Sequence, residues 1–143
     1  ANPKRRGPVP GDLRLLIAPF EGKPIAVLYQ HRLKNKTGAN PVTFTCPWRS
    51  ETVDSVVRLD NVKISVEKSG DWYRIEAAVP LKDLGLKKLP SKPIKGDFGV
   101  IFGDRDGTIN LMRSYWANKN TGLVNDVPGE IMLNPQQWGE LSF

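Results

Sequence analysis

Two short stretches of this 143-residue chain carry side chains suited to recognising a sugar. Arg113-Ser114-Tyr115-Trp116-Ala117-Asn118-Lys119-Asn120 sets two flat aromatic rings beside a guanidinium and two amides. The apolar face of a pyranose stacks on such a ring, while its hydroxyls bond to amides and guanidinium groups. Cys46-Pro47-Trp48-Arg49-Ser50-Glu51 offers a second mixture of the same kind. If the two loops share one end or face of a sheet, Trp48 and Trp116 hold one ring between them. Arg49, Arg113, Tyr115 and Asn118 then complete the expected binding set. The competing role for both indoles is to cap the core, because large aromatics are mostly buried.

Other chemistries find weaker support. Asp104 and Asp106, in Asp104-Arg105-Asp106-Gly107, place oxygens two residues apart, as a hard cation such as calcium uses. A calcium shell needs about six to eight oxygens, and Arg105 sits between these two. An Asp-Gly hairpin turn explains the same residues. Asn125-Asp126 reads as a loop cap or a further ligand pair. Haem ligation would require His31 with Met112 or Met132, and there is no C-x-x-C-H attachment sequence. The single His31 excludes a His-His metal pair, and the single Cys46 excludes an internal disulfide. Cys46 is expected to be buried and inert, since nothing around it resembles a nucleophile motif. Glu76 and Glu130 stand in strand-like contexts, but their spacing fixes no hydrolytic pair. Without a serine elbow, a P-loop or H-E-x-x-H, the reading is of a non-enzyme.

The elements that must position these residues are strands. In Asp71 to Val79, Tyr73, Ile75, Ala77 and Val79 alternate with Arg74, Glu76 and Ala78, the period of a strand with one buried face. Tyr73 is therefore expected in the core, with Trp72 on the accessible face and Trp138 packed in the core near the terminus. Pro80 ends the ladder, and Leu81 to Gly85 form one turn. Further strands are predicted over Asp12–Ala18, Pro24–His31, Val42–Thr45, Thr52–Arg58, Val62–Lys68, Asp97–Gly103, Thr108–Ser114 and Trp138–Phe143. Gly22 marks the first hairpin turn, and 89–95 is a Pro-Lys connector. The longest aperiodic segment, 115–129, has the length of a functional loop.

Thirteen Gly and twelve Pro suit many turns and little helix, and no apolar run is long enough to cross a bilayer. The class is thus all-β: an antiparallel, jelly-roll-like β-sandwich over residues 12–143, preceded by an extended arm at 1–11. The opening at Ala1 without Met, and a first strand that begins almost at once, suggest a piece of a larger protein lacking N-terminal strands. The net charge is +6, and the basic residues are scattered, as at Lys4-Arg5-Arg6, Lys34, Lys36, Lys87 and Lys88. No basic helix or nucleic-acid motif gathers it, so nucleic acid is not an expected partner.

EAAVPLKDLGL, KGDFGVIFGD, RSYWANKNTG, PGEIML and WGELSF together resemble the family 9-like carbohydrate-binding modules, within the DOMON-like β-sandwiches. The likeness is strongest over 71–143. Over 11–68 it is one of strand pattern only. It implies a non-catalytic, sugar-binding appendage of a secreted, periplasmic or cell-surface protein, with structural calcium in some members. Relatives of the same sandwich carry haem between Met and His. A rival reading is a structural or assembly module that pairs with another chain through a strand edge.

Overall fold

Alternation of apolar and polar residues is realised as strands throughout. The computed structural model describes residues 5–121 and 126–143, and these are all-β and antiparallel, with one short α-helix. The chain gathers into two compact units. One comprises Val9–Val42 and Val53–Leu89, and the other Ala1–Pro8, Thr43–Thr52 and Pro90–Phe143.

In the first unit, β1 (Leu13–Phe20) and β2 (Lys23–Gln30) form a hairpin in register from Leu13↔Gln30 to Phe20↔Lys23. Its two-residue turn places Glu21 at φ 50° and Gly22 at φ 75°. Two successive positive φ values describe a type I′ turn, whose twist suits the flanking strands. β5 (Ser55–Arg58) adds to the other edge of β2, which becomes the central strand. Accordingly β2 carries the core residues Ala26 and Leu28, joined by Val53. Full burial of a side chain the size of Leu28 contributes about 1.5–3 kcal/mol.

The segment expected as one strand over Thr52–Arg58 is two. β4 (Arg49–Val53) pairs with β3 (Val42–Cys46), whereas β5 pairs with β2. The break falls at Asp54, which is buried. Its N–H donates to the carbonyl of His31 at 3.3 Å, and its carboxylate accepts from the Leu33 N–H and from Lys36 Nζ, both at 2.9 Å. A buried carboxylate must be satisfied in this way, and the bonds tie the loop after β2 to the point where the chain changes partner.

β6 (Lys63–Ser69) and β7 (Trp72–Ala78) form a second hairpin, turning at Gly70, which takes φ 53°. Tyr73, Ile75 and Ala77 do share one face with Val66 and Ile64. That face is not core: Tyr73 is 45% exposed and Ile75 46%, and every residue of β7 is exposed. Alternation gave the face correctly. It carries no information on whether a second layer covers that face, and the expectation of a core Tyr73 fails on that point. Trp72, on the opposite face, is also exposed. Leu81–Leu84 is a single 3-10 turn between Pro80 and Gly85, the latter at φ 70°.

The second unit holds β8 (Ile94–Gly96), inside the expected connector, paired with β11 (Gly139–Leu141). β9 (Gly99–Gly103) pairs with β10 (Asn110–Tyr115) across the Asp104–Gly107 turn, with one extra residue, Leu111, between the Asn110↔Gly103 and Met112↔Phe102 pairs. The aperiodic segment ends in α1 (Val127–Ile131), capped by Asp126 as the cap reading anticipates; its neighbour Asn125 lies outside the described residues. Pro135–Gln137 is a second 3-10 turn. Arg5, in the segment expected as an arm, lies over the ring of Trp138 at 5.4 Å, and Trp138 is half-buried. No helix among the described residues is long and apolar enough to cross a membrane.

The Leu33 N–H and the Lys36 ammonium hold the carboxyl of Asp54 below the usual carboxylate range. A depressed folded-state pKa stabilises fully above the ordinary value near 4, and the contribution is lost as acid carries the pH below it. Asp54→Asn is therefore expected to lower the urea midpoint at pH 7. Its midpoint should then fall less steeply than the parent's as the pH is taken below about 4, read by circular dichroism.

Candidate functional site

The corner between β9 and β10 is built on Asp97. Its carboxylate accepts from the N–H groups of Phe98 at 2.9 Å, Ala117 at 2.8 Å and Asn118 at 2.9 Å. The Trp116 N–H donates to the Phe98 carbonyl, also at 2.9 Å. Strand ends leave backbone donors without ladder partners, and a short carboxylate satisfies three at once. This fixes the backbone on both sides of Trp116.

The indole is then oriented by its neighbours. It stacks on Phe98 with ring centroids 5.5 Å apart and planes 8° from parallel. Gly139 of β11 lies under its edge, where a Cβ would strike the ring. Trp116 nevertheless remains 45% exposed. Asn118 accepts from the Asn120 N–H at 2.9 Å, and Lys119 Nζ donates to the Tyr115 carbonyl at 2.9 Å, so the loop is braced locally.

Asp126 organises the other part. It is 3% exposed, and its Oδ2 pairs with the Arg49 guanidinium at 2.7 Å. Its Oδ1 accepts from the Gly129 N–H at 3.3 Å and from the Cys46 thiol at 3.7 Å. Gly129 is required by contact, since a Cβ there would run into the Asp126 carboxylate. Cys46 is half-buried and hydrogen-bonded, where a buried residue was expected. The ion pair thus pins the β3–β4 hairpin to the start of α1.

Around this pair lies a concavity of about 450 Å³ that includes Arg49, Asn118, Asn120, Asp126, Asn134 and Gln136. Its lining is rich in amides, which donate and accept at once, as vicinal hydroxyls require. Of the six residues expected to bind ligand, Arg49 and Asn118 share this concavity. Trp48 stands at the tip of the β3–β4 hairpin and is 66% exposed. Arg113 and Tyr115 occupy the half-buried face of β10, with the Tyr115 ring against Gly99. Asn120, Asn134 and Gln136 stood outside that set of six, although Asn120 belongs to the stretch singled out around Trp116. The run Asn134-Pro135-Gln136-Gln137 is an amide cluster visible in sequence that could have flagged two of them.

The remaining candidates separate clearly. Asp104 spends its carboxylate on its own turn, accepting from the Thr108 N–H at 2.7 Å, the Thr108 hydroxyl at 2.9 Å and the Ile109 N–H at 3.2 Å. The Ile109 and Thr108 donors also hold its carboxyl below the usual range. Asp106 is exposed, and among the described residues no three His, Cys, Asp or Glu gather as a metal site. The turn does not fit a calcium shell, and calcium is carried by the resemblance alone. His31 is fully buried, while Met112 and Met132 are both exposed. Glu130 accepts from Asn110 Nδ2 at 2.8 Å.

No protein family, characterised protein or solved structure matches this chain.

Arg49→Ala leaves the buried Asp126 carboxylate without its cation and should cost about 1–3 kcal/mol in denaturant titration. Gly139→Ala should displace the indole of Trp116 from Phe98, read as a change in near-ultraviolet circular dichroism with the far-ultraviolet spectrum unchanged.

Proposed function

We propose that this chain is a non-catalytic carbohydrate-binding module of an extracytoplasmic protein, built on a β-sandwich plan. The supporting observation is the Trp116 indole, held flat by Phe98 and Gly139 and left partly open to solvent. Two residues along the chain, Asn118 lines the amide-rich concavity beside the Arg49–Asp126 pair.

A pyranose ring stacks on Trp116 through its C–H face, which removes apolar surface from water on both partners. Asn118, Asn120, Asn134 and Gln136 then exchange hydrogen bonds with ring hydroxyls. Arg49 keeps one face toward the concavity while its charge is met by Asp126, so it donates to a neutral sugar without demanding an anion. Trp48, exposed on its hairpin tip, provides a second platform for a longer glycan. The bracing of the 115–120 segment reduces the ordering entropy lost on binding. Nothing in this scheme breaks a bond in the ligand.

The test is a titration with a panel of soluble oligosaccharides, followed by tryptophan fluorescence and calorimetry. Trp116→Ala is expected to weaken binding at least about tenfold, a loss of about 1.4 kcal/mol. Asn118→Ala should weaken it by a smaller factor. Saturable binding that is unchanged in Trp116→Ala, or no binding across the panel, would overturn the reading.

A further inference from the structure

The outer strand of the β6–β7 hairpin carries a pattern unrelated to sugar binding. β6 and β7 form a sheet of only two strands among the described residues, so one whole edge of β7 presents unpaired backbone groups. Such edges are usually blunted by a bulge, a proline or a cover, because they template pairing with another chain. Here the register with β6 runs unbroken from Lys63↔Ala78 to Ser69↔Trp72, and Trp72–Ala78 contains no proline. Every residue of the strand is exposed.

The sequence of that edge is complementary to itself. Antiparallel pairing of two copies centred on Ile75 sets Arg74 opposite Glu76 of the second copy, and Glu76 opposite its Arg74. In the same register Tyr73 faces Ala77 and Trp72 faces Ala78, so each bulky ring meets a methyl group. Directly opposed residues sit about 4.5–5.5 Å apart at Cβ, where opposite charges attract and like charges repel. Sliding by one residue along each strand, which keeps the faces matched, places Arg74 against Arg74 or Glu76 against Glu76. The charges thus favour one register over its two nearest competitors. Within one copy Arg74 reaches Glu67 at 3.6 Å and lies over the Trp72 ring at 5.9 Å, exposed contacts of little energetic weight that a facing carboxylate can supplement or replace.

We propose that β7 is a homotypic docking edge: two copies of this chain join through antiparallel β7 strands, two-fold symmetric about Ile75, into a four-stranded sheet. The two-fold axis stands normal to the sheet and keeps Tyr73, Ile75 and Ala77 of both copies on one face. This surface lies in the first unit, whereas the proposed sugar site lies wholly in the second.

Sedimentation equilibrium of the full chain over a range of concentrations should show a monomer–dimer equilibrium. Arg74→Glu and Glu76→Arg should each weaken association at least about tenfold, by converting two attractive pairs to repulsive ones. The Arg74→Glu/Glu76→Arg double variant exchanges the charges and should restore it, which also shows that the single variants act through pairing and not through folding. In a Cys46→Ser background, Ile75→Cys should oxidise to a disulfide-linked dimer far more readily than Tyr73→Cys, because only residue 75 faces itself. A chain monomeric at the highest soluble concentration, a dimer indifferent to the charge reversals, or equal cross-linking at 73 and 75 would each overturn the proposal. Glycan titration of the single variants should match that of the parent.

Discussion

A carboxylate sealed from water must find a cation or hydrogen-bond donors, and the second unit of this fold depends on how Asp126 meets that demand. Arg49, the Gly129 N–H and the Cys46 thiol converge on it from segments far apart in sequence. The hairpin of β3 and β4 and the start of α1 are thereby held together by one residue. The device recurs on a smaller scale. Asp54 gathers the loop after β2, Asp97 joins the two sides of the Trp116 corner, and Asp104 closes its own turn. Buried hydrophobic side chains are few among the described residues: Ala26, Leu28, Val53 and Ile131, with Pro128 beside the last. With so little core, aspartates that satisfy strand-end donors take on much of the work of fixing loop geometry.

This explains which parts of the structure were legible in the sequence. Strands follow from alternation, and their turns from Gly22, Gly70 and the Asp-Gly dipeptide, because those signals are local. The all-β class could be read for the same reason. The division at Asp54 could not, since Thr52 to Arg58 is uniformly strand-like and the break arises from bonds to Leu33 and Lys36. The short helix at Val127 likewise depends on a cap whose other partners lie in β3 and β4. Local pattern names an element; distant partners decide where it stops and what covers it.

The candidate site divides along the same line. Aromatic and amide content pointed to the stretch around Trp116 and to Trp48-Arg49, and composition alone sufficed for that. Composition could not show that Arg113 and Tyr115 turn toward the half-buried face of β10, nor that Asn134 and Gln136 join Asn118 from a later turn. Asp97 was overlooked because its contribution is to backbone donors, and no side-chain motif records that.

The extra residue in β10 has a geometric outcome of its own. If Leu111 took a ladder position, strict alternation from Asn110 would carry Arg113 and Tyr115 onto the opposite side of the ribbon. The bulge acts as a phase shifter: it absorbs one step of the pleat, so the strand reaches its end with Tyr115 seated on Gly99 and the chain correctly wound for the indole that follows. The side of the ribbon on which Tyr115 lands is therefore set by its ladder partners in β9, and one residue more or fewer ahead of Met112 is taken up by the bulge without turning the strand over.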